Sequence, residues 1–231
     1  MSLSLANHEL SRAAPDFDRL ARVYRWMEWF TFGPYLWFCR RFFLNSLGKC
    51  RHALVLGDGD GRFTARLLAC NPTIRVDAVD ASSAMLSELL RNAGLHRGRV
   101  RTHLADLREW TLPESDYDLV VTHFFLDCLS TDEVAFLAWR VRSHISPRAI
   151  WLVSEFNEPG GWFGRVMARP LISFLYRSFG ILTGLKVHSL PDHDRTLEAA
   201  GFVLKEQRHF LGGLLVSQIW ESISNHLPIT K

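Results

Sequence analysis

The sequence predicts an α/β fold, a mostly parallel seven-stranded sheet with helices on both faces and a terminal antiparallel hairpin. Three observations predict it. From His52 to Glu155, short apolar runs alternate with helical patterns, as they do when parallel strands are covered on both faces. A glycine cluster follows the first of those runs directly. Near the end, two strand-like runs flank the pair Gly212-Gly213, which reads as a hairpin turn.

The elements follow in order. ALVL (53–56) is the first strand, and RFTARLLA (62–69) is the helix opened by the glycine cluster. RVDAV (75–79) is the second strand, followed by a helix in SSAMLSELLRNA (82–93) with Ser82 or Ser83 as its N-cap. RVRTHL (99–104) and DLVVTHFF (118–125) are the third and fourth strands. STDEVAFLAWRVRSHI (130–145) is a helix with Ser130 or Thr131 as cap and Glu133 near its third position. AIWLVSEF (149–156) is the fifth strand. After an interruption, PDHDRTLEAAG (191–201) fits a helix opened by Pro191 or Asp192 and closed at Gly201. FVLKEQRHF (202–210) and LLVSQIWE (214–221) form the hairpin.

Length and composition bound the function. At 231 residues one elaborated domain over 1–231 is expected, with an N-terminal aromatic helical cap at 17–47 and a helical insert at 159–190. The net charge is +3 and the basic residues are scattered, so a nucleic-acid partner is not expected. The four cysteines, at 39, 50, 70 and 128, lack CxxC spacing, and His and Cys do not cluster, so no metal site is expected. The cysteines read as reduced thiols in a cytoplasmic protein, and no basic-then-apolar leader opens the sequence. The stretches Trp26 to Leu44 and Trp162 to Val187 are interrupted by charges and proline, unlike a membrane span of about 20 apolar residues. Arg165, Arg169 and Arg177 raise a weak membrane-surface association as a minor expectation.

Aromatic residues are unevenly placed. Of 28 rings, 11 lie in residues 17–43 and 6 in residues 156–180. Either these segments pack as core helices, or they form a lid over an apolar pocket.

The chemistry concentrates at successive strand ends. Gly57, Gly59 and Gly61 lie between the first strand and its helix, where glycine permits a tight turn and close backbone approach to a ligand. Arg62 occupies the sixth position of that motif, where a nicotinamide-binding loop wants a small residue. Asp80 closes the second strand, placed to accept hydrogen bonds from ribose hydroxyls. Asp106 follows the third strand, where an adenine amine would lie.

This constellation resembles the class I S-adenosylmethionine-dependent methyltransferases, which have a Rossmann-like three-layer sandwich fold. The resemblance implies S-adenosyl-L-methionine as cofactor, with Gly57, Gly59 and Gly61 beside its methionine part and Asp80 and Ala81 at its ribose. Met85, in the pattern D-x-S-x-x-M, would pack on the adenine, with Asp106 and Leu107 at its edge. THFF (122–125), with His123, would pass under the sulfonium. Val55 stands where that family usually has an acid, and Asp58 inside the loop is the substitute. No Asn-Pro-Pro-Tyr follows the fourth strand, which disfavours a flipped base as acceptor.

More loosely, FDRLARVYRWMEWFTFG, SEFNEP and LGGLL look similar to the ubiquinone and menaquinone C-methyltransferases, which would put Tyr24 at the cofactor carboxylate. The expected function is methyl transfer to a small, largely apolar acceptor, quinone- or lipid-like. His123 and Asp127 are the candidate general bases, with Glu155 a third and less favoured one. Two alternatives stand beside it: an NAD(P)-dependent oxidoreductase and a non-catalytic binding module on the same fold.

Overall fold

The computed structural model describes residues 32–107, 112, 116–159 and 190–223. Seven strands form one sheet: β1 (His52–Leu56), β2 (Arg75–Asp80), β3 (Val100–Leu104), β4 (Tyr117–His123), β5 (Ile145–Phe156), β6 (Phe202–Phe210) and β7 (Leu215–Ser222). Their order is β3-β2-β1-β4-β5-β7-β6. The first five strands are parallel, and β7 runs antiparallel between β5 and β6. The expected fold class is therefore the observed one. Because the order reverses between β1 and β4, the strand ends there open a crevice in which ligands of such sheets bind.

Among the described residues five helices accompany the strands: α1 (Tyr35–Arg41), α2 (Arg62–Cys70), α3 (Ser83–Ala93), α4 (Thr131–Arg142) and α5 (His193–Ala199). On one face Phe63, Leu67 and Leu68 of α2 and Leu89 and Ala93 of α3 bury Ala53, Val55, Val76, Ala78, Leu119 and Val121. On the other, Val134, Leu137, Ala138 and Val141 of α4 and Leu197 of α5 bury Leu54, Leu56, Val79, Val120, Trp151 and Val153. The alternation of sides along each strand follows from its two-residue period. Ser82 caps α3 through Met85 N–H, and Ser130 with Glu133 forms a reciprocal capping box on α4.

A third cluster sits over the carboxyl ends of the strands. Phe32, Leu36 and Cys39 pack there against Phe124, Leu214 and Leu215, with Phe156 and Phe210 at its margin. The expected cap at 17–47 is thus described from Phe32 onward. Residues 17–31, with Tyr24, and 160–189 of the expected insert, with Arg165, Arg169 and Arg177, lie outside the described residues.

Two differences from the sequence reading have local causes. β5 begins at Ile145 rather than Ala149, because Ile145 pairs with Tyr117 before a register shift, with Arg148 at φ +63°. β4 ends at His123 rather than Phe125, because Phe124 takes φ +52° and turns the chain out of the sheet.

The apolar-looking run RVDAV also hides a polar group. Asp77, buried in β2, accepts hydrogen bonds from Nε2 of His52 (2.9 Å), Nε2 of His103 (2.9 Å) and the Tyr117 hydroxyl (3.1 Å). Burial opposes its ionisation, but the bonds from His103, His52 and Tyr117 outweigh burial and hold the carboxyl below its ordinary range. Four adjacent strands are cross-tied by one carboxylate.

Candidate functional site

The three loop glycines share a left-handed backbone but meet different surroundings. Gly57, Gly59 and Gly61 have φ of +66°, +59° and +74°. A Cβ on Gly57 would strike the Phe125 ring, with Cγ at 2.9 Å. On Gly61 it would strike Leu89, whose Cα would be 2.7 Å away, so this glycine lets α2 and α3 approach. On Gly59 it would meet only the Met85 sulfur, at 4.0 Å. The outer glycines are spoken for by protein packing, and the middle one faces open space with Met85 at its rim. Arg62 does not enter that packing: its half-exposed side chain pairs with Asp60 at 2.9 Å.

The acids line the neighbouring strand ends. Asp80, half-buried at the end of β2, accepts Ser82 N–H at 2.9 Å and so orients its carboxylate at the start of α3. Ala81 is exposed beside it. Ala105 N–H donates to Asp80 O at 3.1 Å, which ties the chain after β3 to the end of β2. Asp106 is exposed at that place, and Leu107 is buried, its carbonyl accepting from Arg140 at 3.1 Å. Gly59, Asp80, Met85 and Asp106 therefore line one rim across β1, β2 and β3.

Asp58 has a different position from the others. It is buried, and its Oδ2 accepts from Thr64 N–H (2.9 Å) and Oγ1 (2.7 Å), fastening the glycine loop to the first turn of α2. Burial pushes its pKa up to about 6, against the hydrogen bonds from Thr64 and the charge of Arg40. Val55, in the place of the usual acid, is part of the core between the sheet and α2.

His123 is 3% exposed and its ring lies edge-on to Phe63 at 4.4 Å, under α2. Neither ring nitrogen has a hydrogen-bond partner among the described residues. Burial, with Arg40 nearby, holds its pKa well below the usual histidine value, so the ring is neutral. Asp127 lies partly exposed in the 3-10 turn Leu126–Cys128 after β4.

Glu155, the least favoured candidate from sequence, has the most defined structural role. Its Oε1 accepts the N–H groups of Phe125 (3.0 Å) and Leu126 (2.8 Å). These bonds hold the turn in which Phe124 adopts its left-handed conformation, an arrangement that a phenylalanine adopts only when its surroundings impose it. Burial, and next the charge of Asp127, raise the Glu155 pKa well above the carboxylate norm. Sequence reasoning missed Arg40. It lies on α1, where its guanidinium is 5.1 Å from the Phe124 ring centre and its charge bears on both Asp58 and His123. No motif singles out this arginine of an aromatic helix.

Comparison with known proteins places this arrangement. Residues 53–148 match a protein family described as methyltransferase domain. No curated protein matches the chain. Among solved structures, an O-methyltransferase family protein from Burkholderia thailandensis superposes with a TM-score of 0.63 at 16% identity, over 90% of this chain and 58% of that one. The CcbJ methyltransferase from Streptomyces caelestis superposes at 0.60 and 18% identity, over 79% and 93% of the two chains. The N-methyltransferase NodS from Bradyrhizobium japonicum WM9, in complex with S-adenosyl-L-homocysteine, superposes at 0.58 and 12% identity, over 81% and 84%. The chain thus spans less than two thirds of the Burkholderia protein. Residues 53–148 thus match the methyltransferase-domain family, and the chain shares the fold of these methyltransferase structures.

Proposed function

We propose that the protein transfers the methyl group of S-adenosyl-L-methionine to a small, largely apolar acceptor of quinone- or lipid-like polarity. One observation carries the reading: the middle glycine of the loop is the only one of the three with room above it, and Asp80 and Asp106 stand on the adjoining strand ends. A nucleoside laid along that rim finds a backbone without side chain at Gly59, a carboxylate for its ribose at Asp80 and a second carboxylate at Asp106. Met85 and the buried Leu107 bound the adenine side. Arg40 supplies a cation at the amino-acid end, near the glycine loop, where Asp58 is committed to Thr64.

The cofactor, when bound, supplies an activated methyl group on a sulfonium. The chain's own part is then to orient the acceptor, exclude water and manage a proton. Phe32, Phe124 and Phe156 form an apolar wall beside the loop, with ring centres 5.2 Å (Phe32–Phe156) and 5.0 Å (Phe124–Phe156) apart. That wall favours an apolar acceptor and a dry reaction volume. His123 is neutral, the form that accepts a proton, but it is sealed under α2. Asp127, partly exposed on the turn that Glu155 holds, is the better placed of the two candidate bases.

Four free cysteines favour a reducing, cytoplasmic setting. Among the described residues no helix is long and apolar enough to cross a membrane.

The test is transfer of tritium from methyl-labelled S-adenosyl-L-methionine into product resolved by chromatography, with hydroxylated quinone and lipid analogues set against hydrophilic acceptors. Label entering only the hydrophilic set overturns the acceptor class. Tight binding of NADH with none of S-adenosyl-L-homocysteine overturns the reaction.

A further inference from the structure

Helix α1 is apolar on its inner face and aromatic on its outer one. Its inner face, Leu36 and Cys39, packs over the strand ends with Phe32 and Phe43 on either side. Its outer face presents Tyr35, Trp37, Phe38 and, just beyond its end, Phe42, each 44–49% exposed. An outward helix face in water is ordinarily polar, and a helix apolar all round has a second apolar neighbour.

The cations of the same region decide which neighbour fits. Arg41 lies over the Trp37 ring at 3.8 Å, and Arg208 of β6 lies 5.7 Å from the centre of Phe42. Arg66, exposed on α2, brings its charge to bear on Arg41. From residue 32 to residue 57 the sequence has Arg40, Arg41, Lys49 and Arg51 and no Asp or Glu. β6 adds Glu206 beside Arg208. A second copy docked symmetrically on this face would set these arginines against their own likeness. An anionic lipid surface satisfies both features: rings of this kind settle at the headgroup level, and arginines are drawn to acidic headgroups.

We propose that the outer face of α1, with Arg41 and Arg208, docks the protein reversibly on an anionic phospholipid surface. The inference does not depend on the methyl-transfer reading, although it would set the apolar wall of Phe32, Phe124 and Phe156 close to a source of apolar acceptors.

The experiment is co-sedimentation of the full chain with vesicles of equimolar phosphatidylserine and phosphatidylcholine, and with phosphatidylcholine alone. Binding to the anionic vesicles, weak binding to the neutral ones and release by salt are expected. Arg41→Gln with Arg208→Gln should lower the partition coefficient by about fivefold per charge removed. Trp37→Ser with Phe38→Ser should lower it further, at unchanged far-ultraviolet circular dichroism. The proposal is overturned by absence of binding to anionic vesicles, by equal binding to neutral ones, or by both double variants binding as the parent does. It is equally overturned if the chain is a dimer without lipid and Trp37→Ser with Phe38→Ser dissolves it.

Discussion

Two alanine substitutions two residues apart should separate packing from ligand binding within the glycine loop. Both Gly59 and Gly61 have positive φ, so an alanine at either place costs about 1–2 kcal/mol of conformational strain. At Gly61 the added methyl would lie 2.7 Å from Leu89 Cα, which is backbone and cannot swing aside. Overpacking of that kind adds about 1–3 kcal/mol, for a total loss of about 2–5 kcal/mol. At Gly59 the methyl meets nothing closer than the Met85 sulfur at 4.0 Å, so only the strain is lost. Urea unfolding monitored by circular dichroism measures both losses. Calorimetry should then show Gly59→Ala, folded and only about 1–2 kcal/mol less stable than the parent, losing at least about tenfold in S-adenosyl-L-homocysteine affinity, about 1.4 kcal/mol. Equal destabilisation by the two substitutions, or full affinity in Gly59→Ala, would refute the division of roles.

Three further expectations concern buried titrating groups. Glu155→Ala strands the amides of Phe125 and Leu126, at about 1–3 kcal/mol each. Glu155→Gln keeps the accepting oxygen. Because the folded pKa of Glu155 is raised, its contribution is present at low pH and lost as pH rises through that value. Denaturant titrations at pH 5 and pH 8 should therefore show Glu155→Gln gaining on the parent at the higher pH, and a loss there would contradict the assignment. His123 has the opposite sign: its folded pKa is depressed, so the stability it confers is present above about pH 6.5 and falls by up to about 1.4 kcal/mol per pH unit below it. His123→Phe should flatten that part of the stability–pH curve, and an unchanged slope would count against a buried neutral ring. Asp77, with a lowered pKa, stabilises above about pH 4 and ceases to as pH falls through its folded value. Asp77→Asn should remove that acid limb in an acid-unfolding titration, and an unaltered limb would show that the His52, His103 and Tyr117 bonds contribute nothing.

The sequence disclosed repeating elements well and lone side chains poorly. Ser130 and Glu133 announce their capping box because its three-residue spacing is local, and Gly212-Gly213 announces the hairpin for the same reason. The rim of Gly59, Asp80 and Asp106 was legible because each residue follows a strand whose end sequence alone locates. Asp77 was hidden in RVDAV, since its partners come from β1, β3 and β4 and no local pattern registers them. The Glu155 latch was hidden likewise, because it joins residues 29 and 30 positions apart through backbone amides that every sequence possesses. The aromatic surplus was visible as a count, but only the fold divides it into an inner wall at Phe32, Phe124 and Phe156 and an outer face at Trp37, Phe38 and Phe42.

Asp80 is proposed to hold the ribose of an S-adenosyl ligand above Gly59. Isothermal titration of S-adenosyl-L-homocysteine into the parent and into Asp80→Ala tests it most directly. Saturable binding that weakens by at least about tenfold in the variant is predicted, as expected when a charged hydrogen-bond acceptor is removed. No binding to the parent, or equal binding to both, would contradict it.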